Sequence, residues 1–224
     1  MKKQLAFIFL SLLGCYVFAQ NDPQAKTILD KVNAKNKSYK TIKADFKFTT
    51  TNTQQNQTNS ESGKLLFKGD KYHATLTNSE IVFDGKSVYT YLHKENEINI
   101  TKPEPAKIEK GDFFISNPRD IFKIYDKDFK SKLVKEDVVN GSPAYEIDLY
   151  PIDLKTKYTH IRMEINKSNF QIINIKVFAK DGSQYFLEFS NFATNTEIAD
   201  TEFVFDTKKY PNAEVNDMRF WRRV

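Results

Sequence analysis

The stretch FDGKSVYTY, Phe83 to Tyr91, decides how this chain is to be read. Asp84-Gly85 stands between two apolar runs, SEIVF before it and VYTYL after it. An Asp-Gly pair so placed is a strong hairpin signal, because both central residues of the tight turn must tolerate positive φ. Asp84 is therefore a turn residue and not a catalytic carboxylate. Tyr89 and Tyr91, two residues apart on one strand, share one face of the sheet.

Working outward, the same period of two recurs along most of the chain. Ala44, Phe46 and Phe48 alternate with Lys43, Asp45 and Lys47, and Leu65 and Phe67 with Lys64 and Lys68. Further on, Tyr145, Ile147 and Leu149 oppose Glu146 and Asp148, and Ile161, Met163 and Ile165 oppose Arg162 and Glu164. Ile173, Ile175 and Val177 oppose Asn174 and Lys176, and Tyr185, Leu187 and Phe189 oppose Gln184 and Glu188. Each strand then has one apolar and one polar face, so the sheet is wet on one side only. Turns fall at Gly69-Asp70, near Glu95-Asn96, at Asn140-Gly141, at Lys167 to Asn169 and at Asp181-Gly182. The polar stretch Thr49 to Ser62 is expected to form a long hairpin end or loop. About ten or eleven short strands result, all antiparallel, and sequential hairpins favour one strongly curved sheet.

Two segments depart from this period. Asp22 is a candidate N-cap with Pro23 at the first helical position, and Ala25, Ile28, Leu29 and Val32 make a helical stripe fading by Ser38. Between Pro103 and Leu133, Asn117 and Pro118 open a second helix whose stripe is Ile121, Phe122, Tyr125 and Phe129. Phe113, Phe114 and Ile115 add apolar weight just upstream. The predicted class is mainly β with two or three helices.

The first residues are a leader and not part of the fold. Lys2 and Lys3 precede an apolar run from Leu5 to Phe18, and Val17-Phe18-Ala19 gives a cleavage-type end, so 1–19 reads as a secretory signal peptide and 20–224 as a single domain. Cys15, in the lipoprotein-like LLGC, is the alternative, an acylated anchor; Tyr16, Val17 and Phe18 would then leave an apolar stub where a polar tether is usual. Cys15 is the chain's one cysteine, so cleavage after Ala19 leaves no thiol chemistry. Losing Lys2 and Lys3 lowers the formal charge from +5 to +3. Acids and bases are interspersed, with no block of the kind that binds nucleic acid.

Catalytic parts are missing from the sequence pattern. None of His73, His93 and His160 has a second ligand at metal-binding spacing, there is no G-x-S-x-G elbow, and the 7 glycines form no phosphate-cradling loop. No enzyme and no cofactor is expected. A curved one-sided sheet with 19 Phe and 11 Tyr instead encloses apolar volume, which either the protein's own side chains or a guest fills.

Taken in order, the N-terminal helix leading to IKADFKFT, the pair GKLLFKGDKY, the DGKSVYTY hairpin and the ending FVFDTKKYPNAEVNDMR resemble the periplasmic carriers of outer-membrane lipoproteins, the LolA-type family, from about Ile28 to Arg219. The resemblance implies a single unclosed antiparallel β-barrel with a helical lid over an apolar cavity for lipoprotein acyl chains. It implies cargo received from an inner-membrane ABC-type lipoprotein-release complex and passed to an outer-membrane acceptor, with no cofactor. The cavity would be lined by Phe46, Phe48, Leu65, Phe67, Tyr72, Leu76, Phe83, Tyr89, Tyr91, Ile161, Met163, Ile165, Ile175, Val177, Tyr185 and Leu187, and its lid by Phe113, Phe114, Ile121, Phe122 and Tyr125. The protein is expected to be a periplasmic monomer. One departure stands out: the family commonly has Lys-Arg-Pro where this chain has Lys68-Gly69-Asp70, and Lys71 is the substitute candidate for the arginine that holds the lid. A carrier of another amphiphile, such as a glycolipid or lipid-linked pigment, and an envelope adaptor filled by its own side chains share these features. The MRFWRRV ending, Met218 to Val224, is a frayed or sheet-edge tail, with contact to a membrane or partner as the alternative.

Overall fold

The computed structural model describes residues 22–103 and 128–220. The expected leader lies outside them, as does the expected second helix up to Tyr125. Phe129, assigned to that helix, instead opens a strand.

Helix α1 spans Pro23–Ser38. The Asp22 side chain accepts from the backbone N–H groups of Gln24 and Ala25, satisfying two of the donors a helix start leaves unpaired. The stripe Ala25, Ile28, Leu29 and Val32 is buried as its spacing requires.

The strands are β1 (Thr41–Asn52), β2 (Gln57–Lys68), β3 (Lys71–Leu76), β4 (Ser79–Phe83), β5 (Val88–Leu92), β6 (Glu97–Thr101), β7 (Phe129–Val139), β8 (Ser142–Pro151), β9 (Tyr158–Asn166), β10 (Ile172–Ala179), β11 (Ser183–Thr194) and β12 (Glu214–Asp217). They form one 12-stranded unclosed sheet in the order β12-β6-β5-β4-β3-β2-β1-β11-β10-β9-β8-β7. Two meanders, β1 to β6 and β7 to β11, therefore meet side by side along β1 and β11. Every pairing is antiparallel except β12 beside β6, which is parallel because the chain returns to that edge from the far half of the sheet.

One local reading is decided and two change. The polar stretch Thr49 to Ser62 is the long hairpin end and not a loop: β1 and β2 pair as far as Asn52 with Gln57, and only the tip between them turns. Main-chain pairing there needs no apolar face. In the Asp84-Gly85 turn only Gly85 has positive φ, +100°. Asp84 acts through its side chain, whose Oδ1 accepts from the N–H groups of Lys86 and Ser87 at 2.7 and 2.8 Å. A register shift between Ile172 and Asn174 puts Ile172, not Ile173, in the core.

The core lies on the inner face, where α1 joins residues from both meanders in one buried cluster. Asp22 also ties α1 to the β7 edge: its Oδ2 accepts from Leu133 N at 3.0 Å, and its N–H donates to Ser131 O at 3.1 Å. The Leu133 bond is the chief reason the Asp22 carboxyl sits below its ordinary pKa. Gly63 shows how closely the middle strands pack, since a Cβ there would lie 2.2 Å from Thr75 O and 2.6 Å from the Phe46 ring.

The outer face is not uniformly wet, which corrects the one-sided expectation. After β11 the chain crosses the outer side of β2 to β6 through 3-10 turns at Asp200–Phe203 and Thr207–Lys209 before pairing as β12. Phe203 and Ile198 are buried with Val82, Ile98 and Ile100, which by alternation face outward. This strap makes a second, smaller core. On the other half, Glu146 and Asp148, read as solvated, are 6% and 3% exposed beneath Arg162.

Candidate functional site

Strand register sorts the expected cavity residues into two groups. Phe46, Phe48, Leu65, Phe67, Tyr72, Leu76, Ile161, Met163, Ile165, Ile175, Val177 and Leu187 are buried members of one inner-face cluster, with Phe83 and Tyr185 packed against it. Leu65 faces Ala74 across β2 and β3, Phe67 faces Tyr72, and Tyr72 faces Phe83, so the rings follow one another around the curve. Tyr72 and Phe83 have ring centroids 5.4 Å apart, and Phe48 stacks on Tyr185 at 6.4 Å. Phe113, Phe114, Ile121, Phe122 and Tyr125 fall outside the described residues.

Tyr89 and Tyr91 do not belong with them. Phe83 pairs with Val88 and Ile81 with Thr90, so β5 turns Val88 and Thr90 inward and both tyrosines outward. Their rings touch the strap: Tyr89 stacks on Phe205 at 5.4 Å, and Tyr91 meets Tyr210 at 4.1 Å. The two rings do share a face, but it is the outer one; VYTYL carries apolar side chains in both phases, so alternation alone does not choose between the sides.

A polar latch completes the strap. Tyr210 donates from its hydroxyl to Glu80 Oε2 at 2.6 Å, and His73 Nε2 lies 2.9 Å from Glu80 Oε1. Asn96 donates to Asn212 O, and Arg219 pairs with Asp217 while donating to Ser87 Oγ at 3.2 Å. Lys68 and Lys71 lie 3.2 and 3.7 Å from Asp200, and Lys68 also donates to Ile198 O. Lys71, the substitute considered for the family's arginine, thus sits against the C-terminal strap. Burial and the bond to Glu80 push the Tyr210 phenol up to about 12. A phenol whose folded pKa exceeds its unfolded value of 10.0 lends stability that is full below 10.0 and lost as pH rises through about 12. A spectrophotometric tyrosinate titration should show one tyrosine ionising last, with the Tyr210→Phe variant lacking that step.

The described residues also border a cleft of about 570 Å³ along β1, β2 and β11, where Phe46, Gly63 and Phe189 meet Lys64, Glu188 and Asn140. Among the described residues no group of three His, Cys, Asp or Glu side chains is placed to hold a metal.

Beyond its fold, the chain matches a known family in sequence. Residues 37–206 fit the family described as outer membrane lipoprotein carrier protein LolA. The chain belongs to the LolA family. The described half-barrel is similar in fold to an uncharacterized conserved protein from Thermus thermophilus, with a TM-score of 0.56 and 13% identity over 87% of this chain and 99% of that one. More distant likenesses are a LolA superfamily protein from Nitrosomonas europaea (TM-score 0.41, 14% identity, 81% of this chain and 97% of that one) and an outer membrane lipoprotein-sorting protein domain from Vibrio parahaemolyticus (0.46, 11%, 80% and 96%). No protein with a curated description matches the chain. Within the LolA family match, the strap from Asn195 through the first 3-10 turn lies inside the matched residues and β12 lies beyond them.

Proposed function

We propose that this protein is a periplasmic carrier, binding the acyl chains of lipoproteins on its inner face and shuttling them from the inner to the outer membrane without covalent chemistry. The observation that carries this reading is the apolar inner-face cluster that runs from β5 to β8 across an unclosed sheet. Its source would be an inner-membrane ABC-type release complex, and its destination an outer-membrane acceptor. A leader cleaved after Ala19 would deliver it to the periplasm.

The inner side chains are covered in the structure: Leu65, Ile161, Met163 and Leu187 are all fully buried. A guest must therefore displace its cover. One cover is α1, which rests its whole stripe in the cluster. The other, in this proposal, is the lid segment that carries Phe114 and Phe122, as the resemblance to the family implies. Phe114 and Phe122 then leave when acyl chains enter, and net affinity is a small difference between two apolar contacts. Each methylene buried contributes at most about 0.8 kcal/mol, ample for an acylated anchor and offset by that exchange.

Displacement of a fluorescent fatty acid by acylated peptide tests the assignment. Phe67→Glu is expected to lower acyl affinity at least about tenfold, because a carboxylate is placed on the apolar path. Tyr89→Ala, on the outer face, should leave affinity within about twofold. Equal behaviour of the two variants contradicts the inner-face site.

A further inference from the structure

The outer face is divided. The strap covers β2 to β6, whereas across β8, β9 and β10 a row of aromatic rings stands uncovered by it. Tyr150 stacks on His160 at 5.7 Å, and His160 stacks on Phe178 at 4.1 Å, with ring planes within 26° and 11°. Lys176 and Arg162 lie over the Phe178 ring at 5.0 and 5.7 Å. Where this row ends, the β8–β9 loop projects Ile152 and Leu154, 55% and 79% exposed, beside the 40% exposed Tyr150.

Together with the exposed Tyr150 they form one contiguous apolar patch, the kind of surface that marks protein or membrane contacts. The loop holds them out on a braced backbone. Ile152 N donates to Asp128 O at 3.0 Å, and Lys180 Nζ donates to Leu154 O at 2.7 Å. Exposed Lys130, Lys155, Lys157 and Lys180 surround the tip. They outnumber the acids there, Asp128, Asp153 and Asp181, and the last two spend a carboxylate oxygen on the amides of Lys155 and Ser183.

We propose that this face docks on an anionic phospholipid surface, with Ile152 and Leu154 entering the acyl boundary, Tyr150 at headgroup depth and the lysines on lipid phosphates. Aliphatic tip, amphipathic ring and flanking lysines are the three parts interfacial binding uses. The small apolar area makes the contact weak and reversible, and the lysine contribution is screened by salt. A proteinaceous partner would use the rings but would not need lysines ringing an aliphatic tip.

Co-sedimentation of the full mature chain, without cargo, with vesicles of phosphatidylcholine alone or mixed with phosphatidylglycerol is the test. Binding should require phosphatidylglycerol and weaken with salt. An Ile152→Asp, Leu154→Asp double variant should lose about tenfold or more in partitioning, and Lys155→Glu, Lys157→Glu should lose a comparable amount. These side chains are exposed, so circular dichroism should be unchanged. No binding, binding indifferent to lipid charge, or binding lost with Phe220→Asp but kept in the loop variants overturns the proposal. Fatty-acid displacement without vesicles reads the inner face alone, so the two ideas fail separately.

Discussion

Replacing Arg162 by Met is expected to destabilise the fold by about 3–5 kcal/mol in urea denaturation. Arg162 holds Asp148 with two parallel bonds, Nε to Oδ1 at 2.7 Å and Nη2 to Oδ2 at 2.9 Å, and reaches Glu146 Oε1 at 3.3 Å. Both acids are almost fully buried on the outer face of β8, so without the guanidinium each is left as a desolvated charge. The remaining contacts are weaker: Tyr150 donates to Asp148 Oδ2 at 3.2 Å, and Lys135 stands 3.7 Å from Glu146. One control separates this account from simple loss of packing. An Arg162→Met, Asp148→Leu, Glu146→Leu triple variant should recover most of the loss, since well-packed apolar side chains then replace the whole buried ion group at little cost. The bond to Asp148 is also the chief reason the Arg162 guanidinium is held above its ordinary pKa.

Phe203→Ala should cost about 3–5 kcal/mol, the range for emptying a filled aromatic site. Phe203 is 1% exposed, in the 3-10 turn of the strap that packs against β3. Because this second core shares no buried residue with the inner cluster, its failure should be regional. Hydrogen exchange should quicken at β12 and β6 and stay slow in β9 and β10. Acyl binding should persist wherever the chain remains folded. Uniform loss of protection across both meanders contradicts the division into two cores.

The inner face was legible because its signal is local. Ile161 to Ile165 alternates cleanly with charges, Leu65 and Phe67 are flanked by Lys64 and Lys68, and burial follows. Asp22-Pro23 announced α1 for an equally local reason. What escaped the sequence was long-range. The strap crosses more than a hundred residues of sequence separation to set Tyr210 on Glu80, and no periodicity encodes that meeting. Hence Tyr89 and Tyr91 were placed with the cavity residues, whereas Phe205 and Tyr210 cover them. A hint existed in VYTYL and in the unspent aromatics of FVFDTKKY, since apolar residues in both phases of a strand point to an apolar contact on each face. Glu146 and Asp148 were misread because alternation separates faces but does not say whether the polar one is dry. The two-versus-one count at Ile172 to Asn174 is likewise invisible to a pattern of strict period two.

The measurement that reaches the central claim most directly is native mass spectrometry of the protein purified from its own envelope without detergent, paired with the Phe67→Glu variant. The account predicts a bound acylated species on the wild-type chain, released on unfolding and absent from the variant. A wild-type chain that carries no acylated molecule, and acquires none when mixed with acylated peptide, would contradict it.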